Sequence, residues 1–167
     1  CVSFNILLHP DAVGVNVLIG GAVPSPFDWR IDCEQVPVNG GNFCIPGGFL
    51  YTFTYCKSGS NPNNFTFNAI PGVTLPETLT GRIDCNTTIT VSGGVVPSSI
   101  VFTDITGGGA YLGYLSPSSG SATVTFTPDE NAPPTIMYRV CGTLTNNACQ
   151  SGVDCDTNIV TVFPPNN

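Results

Sequence analysis

Residues 1–23 read CVSFNILLHPDAVGVNVLIGGAV. Val2, Phe4, Ile6 and Leu8 alternate with Ser3, Asn5 and His9, Leu7 being the exception. After the break at His9-Pro10-Asp11 the alternation resumes with Val13, Val15, Val17 and Ile19, until Gly20-Gly21 stops it. Period-two alternation lines one face of a strand with apolar side chains, so two half-buried strands are predicted here. Asp11 is their single charge, and residues 12–23 have none. Monomeric β proteins guard exposed strands with Lys, Pro or inward charges, and an unguarded alternating ribbon has the pattern used in strand addition between chains. The expectation is therefore an N-terminal strand segment, residues 1–26, offered to a neighbouring copy. Its subunit-contact residues would be Val2, Phe4, Ile6, Leu8, Val13, Val15, Val17 and Ile19.

Outward from this segment the same pattern recurs. Further strands are predicted at 31–38, 49–56, 64–70, 82–91, 99–105, 121–127, 135–141 and 158–163, with 24–29 as a Pro-rich connection and 39–42 as a turn. Each is bounded by Gly, Pro, Asn or Ser, as sandwich strands are. Gly 19 and Pro 15 among 167 residues disfavour long helices. The fold class expected is all-β: one disulfide-stapled sandwich over 27–167 with the additional N-terminal strand segment. The tetrapeptide Arg-Ile-Asp-Cys recurs at 30–33 and 82–85, each time followed by a short β run and Gly-Gly. It offers the alternative of two small β domains split near residue 92.

Composition narrows the partners. Lys+Arg 4 against Asp+Glu 11 gives a net charge of −7, and the four cations are scattered. Duplex binding depends on clustered Lys and Arg that release counterions, so nucleic acid is excluded as a partner; a charged lipid surface is excluded on the same ground. No stretch reaches the ~18 to 20 apolar residues that span a bilayer, so direct membrane insertion is not expected, and without a basic n-region the chain reads as a processed product. Only 9% of residues are charged, leaving Thr, Ser and Asn to cover the outside.

The eight cysteines, Cys1, Cys33, Cys44, Cys56, Cys85, Cys141, Cys149 and Cys155, contain no C-x-x-C spacing. Disulfides are expected rather than zinc or redox chemistry, which implies an oxidising, extracellular or cell-surface location. Cys141 with Cys155 would staple a hairpin, and Cys44 with Cys56 flank one strand. Cys1 has an alternative reading as the acylated first residue of a lipoprotein, which would leave an odd thiol. Asn64 and Asn86 head N-x-[ST] sequons and are possible glycosylation sites.

Residues 51–75, YTFTYCKSGSNPNNFTFNAIPGVTL, resemble the first half of the prokaryotic surface repeat known as domain of unknown function eleven. Its turn matches Lys57-Ser58-Gly59 and its corner Ile70-Pro71-Gly72. Residues 114–126, YLSPSSGSATVTF, look like a later strand of that repeat, and residues 155–162 like its closing edge strand. The resemblance spans roughly residues 36–163 and implies an immunoglobulin-like sandwich of an extracellular protein. It brings no catalytic residues. The eight cysteines and the N-terminal strands depart from the family pattern.

Catalytic chemistry finds little support. His9 is the single His and sits in a turn without a G-x-S-x-G elbow. Asp129-Glu130 and Asp154 with Asp156 could serve as carboxylate pairs, but they fall in turns, where solvated acids are commoner. Residues 127–134, TPDENAPP, are similar to a cadherin linker and make Asp129 and Glu130 calcium candidates; no other cofactor is indicated. Trp29, Tyr51, Tyr111 and Tyr114 could stack on sugars, though such rings fill sandwich cores more often. The Thr rows at 52/54 and 123/125/127 read as exposed strand faces, and Lys57 as an exposed turn neighbour. No enzyme is expected. The function expected is a structural subunit of an extracellular filament or surface layer, whose partners are copies of itself joined by strand addition. The alternative is a ligand- or glycan-binding adhesin module, with calcium as a stabiliser.

Overall fold

A computed structural model of the chain describes residues 1–21, 27–36, 40–59, 62–145, 149 and 152–165, with only the backbone described at Phe27. The protein is all-β. It divides into two compact units: Cys1–Pro71 with Ala148–Gln150, and Gly72–Asn147 with Ser151–Asn167.

Unit one holds β1 (Val2–Leu7), β2 (Ala12–Gly20), β3 (Phe27–Ile31), β4 (Glu34–Gln35), β5 (Gly41–Phe43), β6 (Leu50–Lys57) and β7 (Asn64–Pro71). One sheet has the order β1-β6-β3-β4 and the other β5-β2-β7. The two inner faces meet through rings. Trp29 on β3 is fully buried and stacks on Phe65 of β7 at 6.4 Å. Tyr55 of β6 meets the same Phe65 at 5.3 Å, and Phe53 meets Phe67 at 5.1 Å. Such aromatic pairs contribute about 0.5–1.5 kcal/mol each beyond the area they bury. β6 shows how the sequence sets the layer: Tyr51, Phe53 and Tyr55 point inward while Thr52 and Thr54 face out, where they bond Asn5 and Ser3 of β1.

The N-terminal strands are integral to this unit, which corrects the expectation of a ribbon left for a neighbour. β1 runs antiparallel to β6, from Val2 opposite Tyr55 to Leu7 opposite Leu50. β2 lies between β5 and β7. Leu8, Val15 and Val17 are buried in the core, Phe4, Ile6, Val13 and Ile19 are half-buried, and Val2 is exposed. The register slips between Ala12 and Gly14, a bulge that interrupts the predicted alternation at Val13. Two other readings change. Residues 27–31 form a central strand rather than a connection, and the predicted strand 31–38 is broken by a two-residue hairpin turn at Asp32-Cys33. The φ angles there are 48° and 73°, positive at both positions as a type I′ turn requires. Val38, the predicted end of that strand, lies outside the described residues.

Unit two holds β8 (Leu79–Arg82), β9 (Thr87–Thr90), β10 (Val101–Asp104), β11 (Leu115–Ser116), β12 (Thr123–Phe126), β13 (Thr135–Thr143) and β14 (Val153–Phe163). The sheets are β10-β13-β14-β8 and β11-β12-β9. β13 and β14 pair along nine positions, from Thr135 opposite Thr161 to Thr143 opposite Val153. The unit's first strand, β8, lies parallel to its last, β14. With four strands facing three this is an immunoglobulin-like sandwich. Phe126 of one sheet meets Tyr138 of the other at 6.1 Å, and its ring fills the space where a Cβ on Gly81 would stand. The predicted strand 82–91 is two strands in opposite sheets, separated by the turn at 83–86.

The single sandwich over 27–167 is therefore corrected to two units divided between Pro71 and Gly72. Seven strands are enough to close each core, and in unit one β2 supplies Ala12, Val15 and Val17 to it while Phe4 and Ile6 of β1 pack against it. A split near residue 92 also fails, because Ser92 and Thr74 bridge within unit two. Arg-Ile-Asp-Cys begins within the end of the third strand of unit one and of the first strand of unit two, so it does not mark a duplicated register.

Candidate functional site

Strand order leaves β1 at one edge of its sheet. Its six residues, VSFNIL, carry no charge. At its end Leu7 is 71% exposed opposite Leu50, itself 62% exposed, and Phe49 beside Leu50 is 59% exposed. An uncharged edge flanked by three exposed apolar side chains is a site where a further strand or surface can dock. Leu7 was the odd residue in the N-terminal alternation, and that irregularity was the signal available in the sequence. Leu50 and Phe49 gave none, because nothing local tells which face of β6 is covered.

Six cysteines form Cys1–Cys56, Cys44–Cys149 and Cys141–Cys155. The hairpin staple expected at Cys141–Cys155 is present across β13 and β14. The expected Cys44–Cys56 pair is not: Cys56 bonds Cys1 where β1 and β6 run side by side, and Cys44 bonds Cys149. Bonding to Cys56 also takes the Cys1 sulfur out of reach of acylation. Cys33 and Cys85 are exposed and unbonded, correcting the expectation that all eight are paired. Three disulfides belong to an oxidising compartment outside the cytosol. Among the described residues no helix is long and apolar enough to cross a membrane.

The acids turn out to be tied to backbone and side-chain donors. Asp154 and Asp156 accept from the amides of Val73 and Leu75, at 2.7 and 2.6 Å, and so pin the segment leading into β8. Asp129 accepts from the Tyr114 hydroxyl at 2.7 Å and from the Asn131 amide at 2.8 Å. Those bonds hold its carboxyl below the usual range, while burial and the Asp129 carboxylate push the Tyr114 hydroxyl up to about 12. Glu130 is exposed. Among the described residues no three His, Cys, Asp or Glu side chains are gathered in a metal-binding group.

Asp104, not singled out from the sequence, is the one buried charged side chain among the described residues, at 2% exposure. It accepts from the amides of Gly107, Gly109 and Tyr111. Burial alone would raise its pKa; the bonds from Gly107, Tyr111, Gly109 and Thr106 outweigh it and lower the value. His9 is an exposed turn residue whose Nδ1 lies 3.4 Å from Asp11. Lys57 is half-buried and donates to Asn63. Trp29 and Tyr51 are core residues, and Tyr111 stacks on Tyr114 at 5.8 Å. Asn64 and Asn86 are both exposed; Asn86 accepts from Thr127 at 2.8 Å.

No protein-family model matches the sequence, and no curated protein matches it significantly. Among solved structures the chain is similar to the crystal structure of human mucin-like protocadherin EC1-2. The identity is 18% and the TM-score 0.34, over 91% of this chain and 85% of that one. A score that low supports no argument about fold or role.

Proposed function

We propose that this chain is a structural subunit of an extracellular filament or surface layer and that copies associate along the free edge of β1. The observation that carries the reading is that edge: six uncharged residues, with Leu7, Phe49 and Leu50 exposed beside it. Because β1 and β2 already belong to their own unit, β1 serves as a receiving edge rather than a donated strand. A contact between β1 and a different surface of the next copy is heterologous and propagates. The test is light scattering and negative-stain microscopy across a concentration series. Wild-type chain is expected to form filaments or sheets, and Leu7→Lys to stay monomeric at an unchanged thermal midpoint. Wild type that remains monomeric, or stops at a closed dimer, overturns the reading.

A glycan-binding adhesin module is the second reading, favoured by one feature. A recess of about 520 Å³ at one end of unit one is lined by Phe4, Tyr55 and Phe65 together with Lys57, Asn63 and Asn64. Rings beside polar groups are what a saccharide site uses. A monomer that binds a glycan array and loses binding on Asn64→Ala would establish it over the filament.

A further inference from the structure

Arg-Ile-Asp-Cys at 30–33 and 82–85 is the repeat the fold leaves unexplained. Both copies close a strand with a turn containing a left-handed Asp: Asp32 has φ 48° and Asp84 φ 60°. The turns bring Cys33 and Cys85 to the surface. Both thiols are exposed and unbonded, one in each unit, in a molecule whose other six cysteines are oxidised. They form a matched pair of accessible thiols rather than one stray thiol, and thiol exchange requires access to the sulfur. Cys33 itself has φ 73°, a left-handed backbone that glycine adopts more readily than a residue with a side chain. A recess of about 460 Å³ bordered by Arg30, Asp32, Cys33, Thr52 and Thr54 gives an incoming turn room beside the sulfur.

We propose that Cys33 and Cys85 are link points through which copies of this chain join covalently, each in a disulfide to a thiol of a second copy. Two link points per molecule extend a chain of copies, whereas one would stop at a dimer. The oxidant is a low-molecular-weight disulfide such as oxidised glutathione. The thiolate of one cysteine attacks a glutathione sulfur and breaks the S–S bond, giving a mixed disulfide and one glutathione thiol. The thiolate of the second copy then attacks the protein sulfur of that mixed disulfide and releases the second glutathione thiol. Two cysteines are oxidised, one glutathione disulfide is reduced, and the two cysteine protons end on the two glutathione thiols.

The proposal goes beyond association at β1 and does not depend on it. Purified chain is incubated with oxidised glutathione at mildly alkaline pH, then resolved on non-reducing gels with intact-mass and peptide mapping. Wild type is expected to give a ladder beyond the dimer that collapses to monomer on reduction, and Leu7→Lys the same ladder. Cys33→Ser or Cys85→Ser should stop at the dimer, and the double variant should be monomeric with an unchanged thermal midpoint. A monomer containing four internal disulfides, a monomer whose two thiols remain open to maleimide, or a ladder that persists in the double variant each overturns the proposal.

Discussion

At Asp104 one carboxylate organises a whole loop, taking the amides of Gly107, Gly109 and Tyr111 that the three consecutive glycines free from strand pairing. Hydrogen bonds to a charged acceptor contribute about 1.5–3 kcal/mol, so Asp104→Asn is expected to lower the urea-unfolding free energy by about that much. Because the folded-state pKa lies below the unfolded one, this stability is present above the ordinary carboxylate range and is lost as pH falls through the lowered value. Urea midpoints measured from pH 7 to pH 2 should converge for wild type and variant at the acid end. Cys33 invites the opposite change. Its positive φ predicts that Cys33→Gly raises the thermal midpoint, since relieving about 1 kcal/mol shifts a small domain by about 4–8 °C. Neither role was legible beforehand: alternation puts Asp104 in a strand at 99–105 and Cys33 in one at 31–38, and only the folded backbone shows what each must satisfy.

Strands were legible where one face is buried and the other wet. β6, with Tyr51, Phe53 and Tyr55 against Thr52 and Thr54, and β13, with Ile136, Tyr138 and Val140 buried, follow the alternation directly. Where Pro residues or a turn interrupt a short strand the pattern failed. β3 hid behind Pro24 and Pro26 although it places Trp29 at the centre of a core, and β8 merged with β9 because the turn formers Asp84 and Asn86 alternate with Ile83 and Cys85 and so imitate a strand. The hairpin of β13 and β14 was readable through its cysteines, since strands joined by a short connection bring Cys141 opposite Cys155. A disulfide closing a loop of that size stabilises by about 3 kcal/mol, and the double change Cys141→Ser with Cys155→Ser should show that loss in the denaturant midpoint with little change in slope. The Cys1–Cys56 bond was unreadable in advance, because it depends on which strand β1 pairs with, a long-range choice that local sequence does not encode.

Across the whole molecule the boundary between Pro71 and Gly72 was invisible in the sequence, since Ile70-Pro71-Gly72 looks like any corner within a sandwich. The repeated Arg-Ile-Asp-Cys pointed toward two domains but at a false register, occurring at the ends of strands of different rank. Cys44, before this boundary in sequence, is nevertheless bonded to Cys149, after it, and both belong to unit one. That bond spans 105 residues, and closing a loop of about 100 residues restricts the unfolded chain by about 4.7 kcal/mol. A protease site inserted after Pro71 therefore has a definite outcome: cleavage should leave fragments 1–71 and 72–167 migrating together without reductant and apart with it. In Cys44→Ser, cleavage should separate them under both conditions. Fragments of the cut wild-type chain that part without reductant would show that Cys44 and Cys149 are bonded elsewhere or not at all, and with that the assignment of Cys149 to unit one would fall.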